Sequence, residues 1–158
     1  MNRHVVIIRI RGNANIRKEV ADTFKMLRLY KKNCLVIIPN TPSYLGMLEK
    51  VKDFVTWGEL DKETFKELLL KRAKLPFPIG KLDEQYFKEK VKMSMDEFVE
   101  SYFNFKKELK DIPGLKPFFT LNSPSKGFER AGIKKPYSLG GALGYRKNDI
   151  NALIRRML

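Results

Sequence analysis

The sequence predicts an α+β fold. A small β-α-β-α-β core spans residues 1–60, a mixed-charge helical insert spans 61–112, and a basic, glycine-rich extension with a terminal helix spans 113–158. Three observations lead there. Short β-branched runs (VVIIRIR, CLVII) alternate with stretches of helical periodicity in the first sixty residues. Charge is segregated, with nets of +6, +1 and +7 over the three stretches. Proline and glycine punctuate the boundaries, first at Pro113 and Gly114 and then repeatedly to Gly144.

Val5–Arg11 places Arg9 and Arg11 in alternation with Ile8 and Ile10, a period of two that predicts a strand with one face open to solvent or a ligand. Gly12, Asn13 and Asn15 mark a turn, and Val20, Phe24 and Leu27 recur at helical spacing within 16–30. Cys34–Ile38, ended by Pro39, reads as a buried second strand. Thr41 before Pro42 predicts a helix start, with Thr capping free amides and Pro at a position where no donor is lost. That helix is expected to turn Leu45, Leu48 and Val51 inward, and Phe54–Trp57 forms a third strand closed by Gly58. Asp61 opens a helix with Phe65, Leu68 and Leu69 as its stripe, broken by Pro76 and Pro78. Ser94 and Glu97 have capping-box spacing ahead of Phe98, Tyr102, Phe105 and Leu109, which read as a core stripe. Phe118–Leu121 suggests a short strand, and Ile150, Leu153, Ile154 and Met157 give a terminal amphipathic helix with Arg155 and Arg156 outside. Deletion of 125–147 is expected to leave a folded core.

Composition narrows the chemistry. With 43% hydrophobic residues the chain can bury a core, and 32 Lys and Arg against 18 Asp and Glu give +14. Such an excess suits a polyanion rather than a small acidic substrate. One Cys and one His exclude a disulfide framework and a cysteine metal cluster, and make His-dependent catalysis and any cofactor unexpected. The apolar runs fall short of a membrane span, and the N-terminus reads as a strand rather than a leader, so a soluble intracellular protein without membrane attachment is expected.

Arg17 and Lys18 open the first helix, where the macrodipole disfavours cations. Either Glu19 and Asp22 offset them, or a phosphate binds among the helix amides and the two side chains. Arg28, Lys31 and Lys32 cluster near the helix end, where cations suit the dipole in any case. In GIKKPYSLGGALGYRK, glycine permits close backbone approach to phosphates, the cations neutralise them, and Tyr137 or Tyr145 can stack on an unpaired base. The alternative is an ordinary surface loop; the segment is neither a P-loop nor a dinucleotide fingerprint. Asp96, Glu97 and Glu100 share one helix and read as capping and solvation; the alternative function is an RNA-modifying or RNA-cleaving enzyme that uses acidic residues of the middle segment, these three among them. Lone Cys34 reads as a small core residue.

The stretch TFKMLRLYKKNCLVIIPNTPSYLGMLEKVKDFV, from Thr23 to Val55, resembles the large-ribosomal-subunit protein family L-thirty, in the archaeal form whose eukaryotic counterpart is L-seven. The pattern places Leu27, Leu29, a basic residue at Lys31, Val36, Met47-Leu48, Val51 and Phe54-Val55, all in register. Phe24 and Cys34 depart from it. KPFFTLNSPSKGFERAGIKKPYSLGGALGYR also resembles the archaeal and eukaryotic extension. The resemblance implies a ferredoxin-like arrangement with the first strand central, and a structural, non-catalytic role in the cytoplasmic ribosome. It implies large-subunit ribosomal RNA as partner, with neighbouring ribosomal proteins and the small ribosomal RNA of that subunit as further candidates, and no small-molecule substrate. It puts Arg9, Arg11, Arg17 and Lys18 on RNA, Arg28, Lys31 and Lys32 close by, and Thr41, Ser43, Tyr44 and Lys50 along the second helix. Lys126, Arg130, Lys134, Lys135, Tyr137, Arg146 and Lys147 join them on charge and loop composition alone.

Overall fold

The structure, a computed structural model, describes residues 4–75, 80, 82 and 84–158. Pro76 and Pro78, the expected end of the third helix, lie outside the described residues. In chain order the elements are β1 (His4–Arg9), α1 (Lys18–Met26), β2 (Cys34–Pro39), α2 (Pro42–Val51), β3 (Val55–Glu59), α3 (Lys62–Arg72), α4 (Glu84–Val91), α5 (Met95–Phe103), β4 (Phe119–Thr120), β5 (Gly144–Tyr145) and α6 (Asp149–Met157). The β-α-β-α-β opening stands as the sequence predicts, and the sheet order β4-β2-β1-β3-β5 puts the first strand at the centre. β1 runs antiparallel to both β2 and β3, β4 antiparallel to β2, and β5 parallel to β3.

Every residue of β1 is buried, which corrects the expectation of an open face. Val5 and Ile7 face Phe24, Leu27, Leu48 and Val51 of the α1–α2 layer. Val6 and Ile8 face Phe65, Phe98, Tyr102 and Ile150, contributed by α3, α5 and α6. A strand buried on both faces carries a continuous apolar run rather than an alternating one, and VVII is that run. The middle segment and the terminal helix therefore form a third layer on the far side of the sheet. At roughly 25 cal/mol per Å² of apolar surface buried, covering this face is a main source of stability.

Local signals hold to differing degrees. The capping box on α5 forms, with Ser94 Oγ accepting from Glu97 N–H at 3.2 Å and Glu97 Oε2 accepting from Ser94 N–H at 3.1 Å. Thr41 occupies the N-cap of α2 ahead of Pro42, but its side chain makes no capping bond. Leu45 is 47% exposed, so only Leu48 and Val51 of the expected triplet are buried. Phe105 and Leu109 lie beyond α5, and Leu109 begins a separate 3-10 turn.

The C-terminal stretch is built into the sheet. Thr56 and Trp57 of β3 pair with Gly144 and Tyr145, Thr56 Oγ1 donates to the Gly144 carbonyl at 2.9 Å, and Ala142 and Leu143 are buried. Removing 125–147 would strip an edge strand and part of the interior, so the segment is packed into the core that its deletion is expected to spare. On α6, Arg155 pairs with Glu63 at 3.2 Å and Glu67 at 3.5 Å, tying that helix to α3. No helix among the described residues is long and apolar enough to cross a membrane.

Two glycines show how tightly the extension is seated. A Cβ at Gly58 would lie 2.2 Å from the Lys147 carbonyl oxygen and 2.8 Å from Ile150, whereas one at Gly46 on α2 would meet nothing. Gly58→Ala is expected to cost about 2 kcal/mol or more by forcing β3 from the start of α6. Gly46→Ala is expected to stabilise by up to about 1 kcal/mol, or roughly 2–4 °C in a chain of this size. Thermal melts of the two variants against the parent check both signs.

Candidate nucleic-acid interface

The predicted contacts fall on two regions of the fold. The first is the β1–α1 turn with α1 itself. Arg17 is the extended N-cap residue of α1 and makes no side-chain capping bond, and Lys18 begins the helix. Both are exposed, and Glu19 is the one acidic residue of the first turn. Helix amides without a capping side chain and two exposed cations thus lie side by side at this helix start. Arg11 lies alongside, half-buried over the Phe54 ring at 4.8 Å, with its guanidinium donating to the Asp53 carbonyl at 3.1 Å.

Arg9 is a correction. It is 2% exposed and sits 3.9 Å over the Phe24 ring. Its guanidinium donates to the carbonyls of Leu29 at 2.8 Å, Arg11 at 3.0 Å, Gly12 at 3.2 Å and Tyr30 at 3.4 Å, and to Asn13 Oδ1. All its donors are directed to protein atoms, because the loops on either side of α1 fold back over the end of β1. Arg9 therefore shapes the loop that presents Arg11, Arg17 and Lys18, and it does not face a ligand. Burial pulls its pKa below the ordinary arginine value, with the neighbouring Cys34 acting the other way. Cys34 is itself buried, and burial pushes its thiol up, as suits a core residue.

The second region is 126–147. Arg146, 3% exposed, is its Arg9. Its guanidinium grips Glu129 with two bonds of 2.6 and 2.7 Å, donates to Thr56 Oγ1 at 2.9 Å and the Ala142 carbonyl at 2.9 Å, and lies 4.5 Å over the Tyr137 ring. Tyr137 in turn donates its hydroxyl to Asp149 at 2.8 Å, which raises its pKa. Arg146 is thus also internal, holding the irregular segment in one shape. Gly141 is part of that shape, since a Cβ there would lie 2.1 Å from the Lys135 carbonyl oxygen. Lys126, Arg130, Lys134, Lys135 and Lys147 remain exposed on the outside. Lys126 and Lys147 have positive φ (64° and 51°), a conformation that glycine adopts with less strain.

Burial alone would raise the Glu129 carboxyl, but the hydrogen bonds and charge of Arg146, with Arg156 at 4.0 Å, outweigh it and hold the group below the usual glutamate range.

Of the remaining predicted residues, Lys31, Lys32, Ser43 and Lys50 are exposed, and Thr41 is half-buried at the start of α2. Arg28 and Tyr44 meet in a cavity of about 350 Å³ that Lys107 and Phe105 also line. Sequence reasoning assigned Phe105 to the core stripe and passed over Lys107. The missed signal is that α5 stops at Phe103, with Asn104 as its C-cap, so the stripe outruns its helix. The acidic trio serves the surface: Asp96 pairs with Lys66 at 2.5 Å, Glu97 closes the capping box, and Glu100 is exposed. Among the described residues no group of three or more His, Cys, Asp or Glu is placed to hold a metal ion.

Comparison with known proteins shows the chain's family. Residues 5–55 match the family described as ribosomal protein L30p/L7e. Over 149 residues the chain is 49% identical to the large ribosomal subunit protein uL30 of Methanopyrus kandleri, covering 94% of this chain and all of that one. It is 47% identical over 152 residues to proteins of the same name from Methanococcus maripaludis and Nanoarchaeum equitans, covering 96% of this chain and 97% of each relative.

Two stability predictions follow from the buried arginines. Arg9→Met should cost about 2–4 kcal/mol, because several buried carbonyls lose their donors, whereas Arg17→Ala and Lys18→Ala should each change stability by no more than about 0.5 kcal/mol. Denaturant unfolding of the three variants separates the roles. The depressed Glu129 carboxyl adds stability that is present above the ordinary glutamate pKa and lost as pH falls through its lower folded value. The melting-temperature gap between the parent and Glu129→Gln, open at pH 7, should therefore narrow below about pH 4.

Proposed function

The chain belongs to the ribosomal protein L30p/L7e family, and from that premise we propose how it works as a structural constituent of the large ribosomal subunit, located with the ribosome in the cytoplasm. It associates with the subunit and its ribosomal RNA, and it is not an enzyme. The observation that carries this reading is the 49% identity running the whole length of the Methanopyrus kandleri protein. The surface charge supplies the mechanism.

In this reading Arg11, Arg17 and Lys18 contact RNA phosphates at the first helix start, with Lys31, Lys32 and Lys50 nearby. Lys126, Arg130, Lys134, Lys135 and Lys147 do the same from the extension. Each cation that replaces a condensed counterion lowers the free energy of the complex and adds to its salt dependence. Arg9 and Arg146 contribute indirectly by fixing the loops before binding, so little ordering entropy is spent on association. Recognition rests on the shape of folded RNA and on splayed bases, because an A-form duplex hides its base edges from side chains. Neighbouring ribosomal proteins and the subunit's small ribosomal RNA are further partners in the proposal. The alternative of an RNA-processing enzyme is dropped, since the family is structural and the acidic trio is used in a cap and an ion pair.

The test is a paired charge reversal. Arg17→Glu with Lys18→Glu should weaken binding to archaeal large-subunit ribosomal RNA at least tenfold and make the dependence of log K on log salt shallower by about two. Reversing Lys88 and Lys90 on α4 should leave both nearly unchanged. Equal losses would show that the segregated charge does not define the RNA surface.

A further inference from the structure

Four rings form one stack through the far layer of the fold. Phe65 stacks on Tyr102 with centroids 4.6 Å apart, Tyr102 on His4 at 4.2 Å, and His4 on Phe105 at 4.3 Å, all within 20° of parallel. Three of these rings are buried, His4 at 8% exposure. The fourth, Phe105, is 40% exposed and lines the 350 Å³ cavity formed by the end of α1, the second half of β2 and the start of α2. His4 and Tyr102 line the same cavity, and Phe105 is the exposed end of the stack there.

The backbone strains to put the ring there. Phe105 has φ +57°, and the Lys106 N–H bonds back to the Ser101 carbonyl at 2.9 Å, so Phe105 occupies the helix-ending position where glycine is favoured. α1 closes on the opposite side of the same cavity in the same manner. Arg28 has φ +59°, and the Leu29 N–H bonds to the Phe24 carbonyl at 2.9 Å. Lys92 closes α4 in this conformation too; what sets Arg28 and Phe105 apart is that both line one cavity. Met26, 63% exposed, and Tyr44 also line it. Lys107 and Lys110 stand beside them, Lys110 at 3.6 Å from Glu108, while Arg28 and Lys107 have no ion-pair partner among the described residues.

We propose that this cavity receives one unpaired nucleotide of the ribosomal RNA, its base stacked on the outer face of Phe105 as a fifth ring and its phosphates met by Arg28 and Lys107. The inference rests on the RNA-binding reading above and adds a site to it. A parallel aromatic face accepts any base, and Arg28, Lys107 and Lys110 against the single lining carboxylate, Glu108, suit the phosphates of a nucleotide better than the neutral backbone of a peptide. The cavity volume falls in the range that holds a small planar ligand.

The experiment uses the full chain, archaeal large-subunit ribosomal RNA and excess unrelated competitor RNA, with affinity and chemical probing of unpaired bases read together. Phe105→Tyr keeps the ring and should bind like the parent. Phe105→Leu keeps bulk without a π-face, and Phe105→Gly removes the ring while relieving the strained backbone. Both should lose about tenfold or more in affinity, keep the salt slope, and re-expose a single nucleotide in an otherwise intact footprint. Circular dichroism melts of Phe105→Gly check that the variant is folded. Parent-like affinity and footprint for Phe105→Gly, alongside loss in the Arg17/Lys18 reversal, would overturn the nucleotide site and leave the RNA reading standing; a protein neighbour on this cavity would give that same result. Failure of the parent chain itself to bind over competitor would overturn both.

Discussion

The central strand has no polar face, and the rest of the molecule follows from covering it. Val5 and Ile7 point one way, Val6 and Ile8 the other, and all four are buried. A β-α-β-α-β unit covers one side with its own two helices and leaves the other bare. Here α3 and α5 from the middle segment and α6 from the end of the chain fill the bare side, while β4 and β5 extend the sheet at its two edges. Open sheet edges and open apolar faces both invite unwanted association; the added helices cover the bare face, and the two-residue strands β4 and β5 leave only short edges. The C-terminal half is therefore a structural necessity of the first strand.

Within that frame the positive charge divides into two kinds. Arg9 and Arg146 are buried, each donating several hydrogen bonds to protein oxygens and each lying over an aromatic ring. Burying a guanidinium is unfavourable unless its donors are all satisfied, so these two positions tolerate little change. What they provide is fixed loop geometry: one shapes the approach to α1, the other the 126–147 segment. The exposed cations on those loops then stand in place without further folding. A basic composition thus overstates the charge available to a polyanion, because some of it is used internally.

Much of this was legible in the sequence, and the misses have physical reasons. The three core strands and their helices are set by local periodicity, and the capping box by a four-residue pattern, so both could be read directly. Arg9 misled because its alternation with Ile8 and Ile10 mimics a solvated face; two of the carbonyls that accept from it, those of Leu29 and Tyr30, lie 20 and 21 residues away. Leu45 and Phe105 sit at helical spacing from true core residues, yet one lies on the outer surface and the other just past a helix end. β5 is two residues long and exists only through pairing with β3, a tertiary event without a local signature. For the interface, the exposed lysines and Arg17 could be named from charge alone. The arginines buried beneath them could not be told apart from those on the surface, since residue type is the same and only burial differs.

The most direct test of the account is a salt-titrated binding curve of the full chain on archaeal large-subunit ribosomal RNA with excess unrelated RNA present, followed by footprinting. Saturable binding that survives the competitor, weakens steeply with salt and protects one contiguous region of the folded RNA is the predicted result. Binding that the competitor removes, or protection scattered without a preferred region, would contradict it.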